Sequence, residues 1–287
     1  MRFWLFLLSL VAAGEALAHG DLHLQIAEVT RQIEKNPKNA ELYLKRGELH
    51  RAHQEWDPAQ ADYDRALVLD PSLHVIDFTR GRMFLEANWP HSAKICLDRF
   101  LLRQTNHVEA RVARARALVK LTKHLEAARD YTAAIQQSAA GRPELYIERA
   151  QALTEEGTNH FGEALRGLDE GMQKLGTLVT LQLYAIDIEL KQKKYDAALD
   201  RLEKVAAQSP RKETWLARRG EILQQAGRNP EARRAYEDAL KAMASLPPAR
   251  RNVPAMVELE RRIKEALAQT SKPEAGSTTS GRSSKAE

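Results

Sequence analysis

Apolar positions recur along this chain with the period of an α-helix. Between residues 21 and 38, Ile26, Val29 and Ile33 fall on one helical face. Ala, Leu, Arg, Glu and Lys, which favour helices, dominate the composition, and clusters of β-branched residues of strand length are nearly absent. The pattern therefore predicts an all-α protein.

A longer period of 34 residues is superimposed on the helical one. Alanine recurs at this interval, with one interval of 37 residues, at positions 59, 93, 127, 164, 198 and 232. The three extra residues fall near the segment EEGTNHFG, where a longer loop between helices absorbs them at small entropic cost. Self-similarity at such a period indicates stacked structural repeats.

The segments DYDRALVLDP and RRGEIL…GRNPEARRAYEDAL carry the repeat most clearly. The pattern resembles the tetratricopeptide repeat (TPR), a helix–turn–helix unit. The resemblance implies an all-α, right-handed α-solenoid of TPR-like repeats with a capping helix at each end. It divides the chain into a signal peptide (1–18), an N-terminal capping helix of half a repeat (19–39), six repeats (40–73, 74–107, 108–142, 143–178, 179–212 and 213–246), a C-terminal capping helix (247–268) and a disordered tail (269–287).

Small residues are expected where the two helices of a repeat approach each other, because a larger residue would force them apart. The first helices offer Gly47, Gly81, Ala115, Ala150 and Gly220, which should face Ala59, Ala93, Ala127, Ala164 and Ala232 on the second helices. Tyr63, Tyr131 and Tyr236 should then fill the gap to the neighbouring repeat. Phe100 and Val205 stand where other repeats carry a small residue, which predicts less regular packing around them.

The first twenty residues have the order of a secretory signal. A single Arg precedes an apolar run from Phe3 to Ala13, and Ala16 and Ala18 form a small-x-small cleavage site. The run is too short to span a bilayer, which needs about 20 residues, and no later segment is apolar enough. We therefore expect an exported bacterial protein, periplasmic or secreted, whose one cysteine, Cys96, is buried and forms no disulfide.

Motifs of catalysis are missing from the sequence. It contains no phosphate-binding Gly-rich loop, no His-Glu-x-x-His, no paired-cysteine zinc pattern and no Gly-x-Ser-x-Gly elbow. We therefore predict a protein that is not an enzyme, has no cofactor and does not bind nucleic acid. The alternative is an enzyme with its site in the 154–162 insertion, where Glu155, Glu156 and His160 cluster without a nucleophile.

The recurring arginines before the small residues allow two interpretations. They could form a ladder that binds a polyanion, or they could pair within each repeat, as Arg46 with Asp62 and Arg114 with Asp130. The uneven distribution of charge along the chain also allows two interpretations. The net charge is +5, with a basic block at 99–129 and an acidic block at 144–170. These blocks could steer an acidic partner or complement each other across neighbouring repeats.

The resemblance also implies a concave groove, lined by the first helix of each repeat, that binds a protein or an extended peptide. Residues spaced i, i+4 and i+7 share a helical face. We expect the groove residues to be Phe78, Arg82, Leu85, Val112, Arg116, Val119, Ile147 and Gln151. Two stacked arginines flanked by apolar side chains suit a partner with a carboxylate and an apolar anchor. The alternative is that these residues are a solvated inner face.

The TPR family's Lys/Asn clamp for chaperone C-termini is not reproduced. The positions where the clamp would need Asn hold Glu48, Arg82 and Arg116. We therefore do not expect that class of partner.

Four histidines offer a second function. His19 would become the mature N-terminus, His23 follows at i+4, and His50 and His53 lie three residues apart. Together they could gather around copper, nickel or zinc in a metal-binding or metal-delivery protein. The ligands would come from a fraying chain end without an assignable carboxylate to orient them, and packing explains His50 equally well.

Overall fold

The computed structural model describes residues 21–138, 141–176 and 178–270. The signal peptide expected at 1–18, His19 and the tail from 271 onward lie outside the described residues. The described chain is α-helical between short turns and contains no strand. Its helices are α1 (21–35), α2 (Ala40–Ala52), α3 (Trp56–Leu69), α4 (Val75–Glu86), α5 (Pro90–Arg103), α6 (Val108–Lys120), α7 (His124–Gln137), α8 (Pro143–Glu156), α9 (Phe161–Leu175), α10 (Val179–Lys191), α11 (Tyr195–Ala207), α12 (Lys212–Gln225), α13 (Asn229–Ala244), α14 (Pro248–Arg251) and α15 (Pro254–Thr270).

The chain forms two compact units, Met1–Gly167 and Leu168–Glu287. In the first unit, α2 packs on α3, α4 on α5, α6 on α7, and α7 on α8. In the second unit, α10 packs on α11, α12 on α13, and α13 on α15. The prediction of an all-α protein built from consecutive helix–turn–helix pairs is thus confirmed.

Helix ends follow from local sequence. Asn39 caps α2 by accepting a hydrogen bond from the Glu41 amide, and His107 caps α6 through Nδ1, which accepts from the Ala110 amide. Proline lies in the first turn of α5, α8 and α13, where its missing N–H would have had no helical partner. The expected C-terminal capping helix at 247–268 is instead two helices, α14 and α15, because Pro254 starts a new helix.

The turn between the two helices of a pair has one recurring backbone feature. A residue with left-handed backbone follows the first helix, at φ 63° for Gln54, 61° for Asn88, 57° for Thr122, 57° for Lys193 and 74° for Gly227. These positions are separated by multiples close to the repeat length. The fourth pair differs because the three-residue insertion lies there, as Gly157 (φ 143°) and a single 3₁₀ turn, Thr158–His160.

The small residues of the first helices lie against the large residue of the second helix. A Cβ atom on Gly47 would come within 2.6 Å of the Tyr63 ring and 3.3 Å of the Ala59 carbonyl oxygen. Gly81 faces Leu97 and Gly220 faces Tyr236 in the same way. Gly47 thus lies against Ala59 as expected, and it also lies against the Tyr63 ring of its own repeat. Tyr63 is buried in one cluster with Ile76 and Met83 of the next repeat, where it was expected to fill the gap.

Phe100 is part of an aromatic cluster. Its side chain is buried, and its ring stacks on Phe78 at a centroid distance of 5.3 Å and meets His107 at 5.0 Å. Val205 is also buried. Both side chains are buried, and the less regular packing expected around them stays a prediction.

The second unit has a continuous core that reaches into its last helix. Met256 and Ile263 of α15 are buried together with Tyr236 and Met243 of α13. The end of the unit is thereby covered by an amphipathic helix, as repeat proteins require for solubility. No helix among the described residues has an apolar stretch of the length and hydropathy needed to cross a membrane.

Candidate functional site

Seven of the eight predicted groove residues line two adjoining cavities in the first unit. The first cavity has a volume of about 490 Å³ and is lined by Phe78, Arg82, Leu85, Glu86, Glu109, Val112, Ala113 and Arg116. The second has a volume of about 360 Å³ and is lined by Leu85, Arg116, Val119, Lys120, Tyr131, Glu148, Gln151, Ala152 and Glu155. Leu85 and Arg116 belong to both, so the cavities share a wall. Ile147 lines neither.

The apolar wall of the first cavity is part of the core. Val112 is only 1% exposed, and Phe78 stacks on Phe100 while its ring centroid lies 4.8 Å from that of His107. These side chains were expected to flank the two arginines. Their packing against the core makes them a fixed floor of the cavity.

Arg116 is already paired. Its Nε and Nη2 donate to the two Glu148 oxygens at 3.0 and 2.7 Å, and the Tyr131 hydroxyl also hydrogen-bonds Glu148. These contacts raise the pKa of Arg116, chiefly through the Glu148 hydrogen bond. Burial opposes the charge on Glu148, but the bonds from Arg116 and Tyr131 outweigh it and hold the pKa of that carboxyl below its usual value. The expected pair of free arginines is therefore reduced to one.

Arg82 is the less satisfied cation. Among the described side chains, its nearest carboxylate is Glu48, at 3.8 Å from Nη1, and its guanidinium lies 5.7 Å from the centre of the Phe78 ring. Glu48 itself accepts from the Tyr63 hydroxyl at 2.6 Å and from Arg51 Nε at 3.1 Å. Arg82 therefore retains donors for a further anion, and 39% of its side chain is exposed.

The two acids of the first cavity are occupied by arginines of other helices. Both Glu86 oxygens accept from Arg51 Nη1 at 2.7 Å, and Glu109 accepts from Arg142 Nη1 at 2.6 Å. These pairs were missed at the sequence level. Their separations of 35 and 33 residues are close to one repeat, and opposite charges at that interval were the available signal. The pairing lowers the negative potential that the acids would otherwise give the cavity.

The second cavity is mainly apolar. Leu85, Val119 and Ala152 supply aliphatic surface beside the Tyr131 ring. Lys120, at its edge, donates to the Asn88 side chain at 2.7 Å. This cavity suits an aliphatic or aromatic side chain.

The arginines that precede the small residues pair as the second interpretation predicted. Arg46 makes two hydrogen bonds to Asp62, at 2.8 and 2.7 Å, and Arg114 makes two to Asp130, both at 2.7 Å. Asp62 and Asp130 are each only 5% exposed. The structural pairs are confirmed for these two arginines, which are not available to a polyanion.

Among the described residues, His23, His50 and His53 form no metal site, and His19 lies outside that part of the chain. His50 Nδ1 lies 2.6 Å from one Glu55 oxygen, His53 Nδ1 lies 3.1 Å from the other, and the His23 ring centroid is 4.4 Å from that of His53. The His50 hydrogen bond lowers the pKa of Glu55. Within the part of the chain that the structure describes, no three His, Cys, Asp or Glu side chains could hold a metal ion. Glu55 is the carboxylate that sequence reasoning missed.

The candidate catalytic side chains of the 154–162 insertion make separate contacts. Glu155 lines the second cavity, whereas His160 Nδ1 contacts Glu163 at 3.6 Å. These contacts do not gather the three side chains of the alternative catalytic site around His160.

A third cavity of about 580 Å³ lies in the second unit between α12, α13 and α15. Arg262 crosses it to Glu221 at 2.5 Å, and the Tyr236 hydroxyl lies 2.9 Å from Gln224 Oε1. Burial raises the pKa of Tyr236 to about 12. Sequence reasoning did not anticipate this cavity, because it depends on where the last helix docks.

Comparisons with known proteins agree with this architecture. Residues 158–255 match the family model described as a tetratricopeptide repeat-like domain. A crystal structure of a tetratricopeptide repeat protein from Parabacteroides merdae superposes with a TM-score of 0.52 at 18% identity, over 90% of this chain and 96% of that one. PilW, described as a type IV pilus biogenesis factor, has a TM-score of 0.53 at 18% identity, over 69% of this chain and 90% of its own.

Two further relatives are similar over shorter spans. YrrB, described as a TPR protein with an unusual peptide-binding site, has a TM-score of 0.52 at 22% identity, over 63% of this chain and 92% of its own. The SGT1 homolog of Oryza sativa subsp. japonica is 31% identical over 86 residues, which is 30% of this chain and only 23% of that protein. At these identities the solved structures establish the fold. Taken with the family match over residues 158–255 and the helix–turn–helix pairs, they show that the chain has a tetratricopeptide repeat-like fold.

Proposed function

We propose that this protein is an exported, non-catalytic scaffold that holds a protein or peptide partner in the groove of its first unit. The partner carries an acidic group and an apolar anchor. The single observation that carries the proposal is the pair of adjoining cavities, which are lined by seven of the side chains chosen from the family resemblance and helical spacing.

Three features of the groove support this proposal. The cavities are partly open to solvent and share a wall, so an extended chain can occupy both. Their floor is fixed by the core through Phe78 and Val112, so a partner would meet a preformed surface. The architecture itself favours the role, because stacked repeats create large surfaces for binding proteins.

Selection from a displayed peptide library tests the proposal. The mature protein (19–287) should retain peptides that a Val119→Glu variant loses, since the new charge would have to be buried in the apolar second cavity. The matched control is Leu102→Glu. Leu102 is 81% exposed on α5 and lines neither cavity. If both variants retain the same peptides as the parent, the groove is not the binding site.

Export rests on residues 1–18 and has its own test. Expressed in a Gram-negative host, the full chain should appear in the periplasm or medium with His19 as its first residue. N-terminal sequencing of the purified protein reads this directly. A protein that stays in the cytoplasm with Met1 intact would contradict the proposal of export. It would not bear on the proposal that the groove binds a partner.

A further inference from the structure

The two cavities differ in chemistry, and the difference specifies the order of side chains in a partner. The first contains the one incompletely paired guanidinium, Arg82, while its acids Glu86 and Glu109 are held by Arg51 and Arg142. The second presents Leu85, Val119 and Ala152. An anion is therefore favoured in the first cavity and an apolar side chain in the second.

Arg116, in the wall that the two cavities share, does not compete with Arg82 for the carboxylate of the peptide. Arg116 is held at the boundary by two hydrogen bonds to Glu148, which also binds the Tyr131 hydroxyl. An arginine that already holds a carboxylate through two hydrogen bonds has used its paired donors, so a second carboxylate would gain little binding energy there. Among the described side chains Arg82 has no such partner, since Glu48, 3.8 Å away, is shared with Arg51 and Tyr63.

The spacing of the helices sets the distance between the two chemistries. The first cavity lies between α4 and α6, and the second lies between α6 and α8. Neighbouring packed helices are separated by about 8–10 Å. An extended peptide covers about 3.3 Å per residue, so about three residues separate the two positions.

We infer that the groove reads an extended acidic peptide segment, in which Arg82 alone binds an Asp or Glu carboxylate and the second cavity takes an apolar side chain about three residues away. This inference rests on the proposed function and names the partner chemistry of that same groove. The sequence predicted that Arg82 and Arg116 would both bind the partner's carboxylate. In this inference only Arg82 binds it, while Arg116 is held by Glu148 between the two cavities.

Charge exchange in the peptide selection tests the inference. Peptides retained by the parent should be enriched in Asp or Glu about three positions from a Leu, Ile or Phe. An Arg82→Glu variant should select Lys or Arg at the acidic position and keep the apolar residue. For one selected peptide, Arg82→Gln should weaken binding about 10- to 100-fold, because one charge-assisted hydrogen-bonded contact is lost.

Two control variants distinguish specific binding of a carboxylate by Arg82 from a general effect of positive charge. Arg116→Gln combined with Glu148→Gln removes the Arg116–Glu148 pair without a net change in charge and should keep the acidic preference. Lys45→Gln removes an exposed cation of α2 that lines neither cavity and should change binding less than twofold. Far-ultraviolet circular dichroism checks that each variant remains helical.

The outcomes distinguish the inference from the proposed function. If peptides depend on Val119 but show no acidic enrichment, or keep it in Arg82→Glu, the inference fails and the groove function stands. Loss of the acidic preference in the Arg116/Glu148 double variant would also overturn it, since Arg116 would then bind the carboxylate. If no peptide depends on Val119, both fail together.

Discussion

The ring of Tyr63 lies against the backbone of Gly47, so close that a Cβ atom at position 47 would come within 2.6 Å of its Cε1 and 2.8 Å of its Cδ1. The ring is fully buried, and its hydroxyl donates to Glu48 at 2.6 Å. The tyrosine is therefore fixed at both ends and cannot yield to a larger neighbour.

Gly47→Ala should destabilise the protein even though alanine favours helices. The new methyl group must displace either the ring or the helix, and overpacking of this kind costs about 1–3 kcal/mol. Chemical denaturation followed by circular dichroism measures the change. Gly162→Ala is the matched control, because its nearest neighbour is Arg166 Nη1 at 3.6 Å. It should gain up to about 1 kcal/mol from helix propensity. Equal effects at both positions would refute the Gly47–Tyr63 contact as the cause.

The buried carboxylate of Asp130 should matter far more than an exposed one. Asp130→Asn weakens two 2.7 Å hydrogen bonds from Arg114, and we expect a loss of about 1.5–3 kcal/mol in the free energy of unfolding. Glu126→Gln disrupts the exposed Lys123–Glu126 pair and should cost less than about 1 kcal/mol. Denaturant midpoints of the two variants give the comparison, and a larger loss for Glu126→Gln would reverse our ranking.

The Arg116–Glu148 pair should contribute to acid sensitivity. The pKa of Glu148 is lower in the folded protein than its ordinary value, so the unfolded chain binds the proton more readily. The stabilisation is complete above the ordinary pKa of Glu, about 4.3, and is lost as the pH falls through the folded pKa.

Unfolding curves between neutral pH and acid pH check this sign. Glu148→Gln should make the decline in stability shallower on the acid side. Arg116→Gln should do the same, because it removes a principal cause of the lowered pKa. An unchanged acid decline in Arg116→Gln would show that the pair does not control it.

The left-handed turn residues predict a gain in stability. Lys193 has φ 57°, a region that costs an ordinary L-residue about 1–2 kcal/mol and costs glycine nothing. Lys193→Gly should therefore raise the melting temperature, although the greater freedom of glycine in the unfolded chain offsets part of the gain. Lys191→Gly, two residues earlier at the last residue of α10, should lower it. Two changes of the same sign would argue against the turn geometry.

The sequence by itself determined the fold class and the repeat. The 34-residue interval between alanines such as Ala59 and Ala93, and the partners Arg46–Asp62 and Arg114–Asp130, could be predicted because they reflect helical periodicity and contacts within one repeat. The candidate groove residues could also be chosen from the sequence, because the family resemblance supplied the helices and the i, i+4, i+7 rule supplied their shared face.

Only the tertiary structure decided which of those residues is available. Arg82 and Arg116 occupy equivalent positions 34 residues apart, yet Arg116 is bound by Glu148 and Arg82 is not. That difference depends on which side chain the next helix brings to the boundary, and a repeat pattern records positions rather than the contacts between them. For the same reason the floor formed by Phe78 and the cavity beneath α15 appear only when the helices are packed.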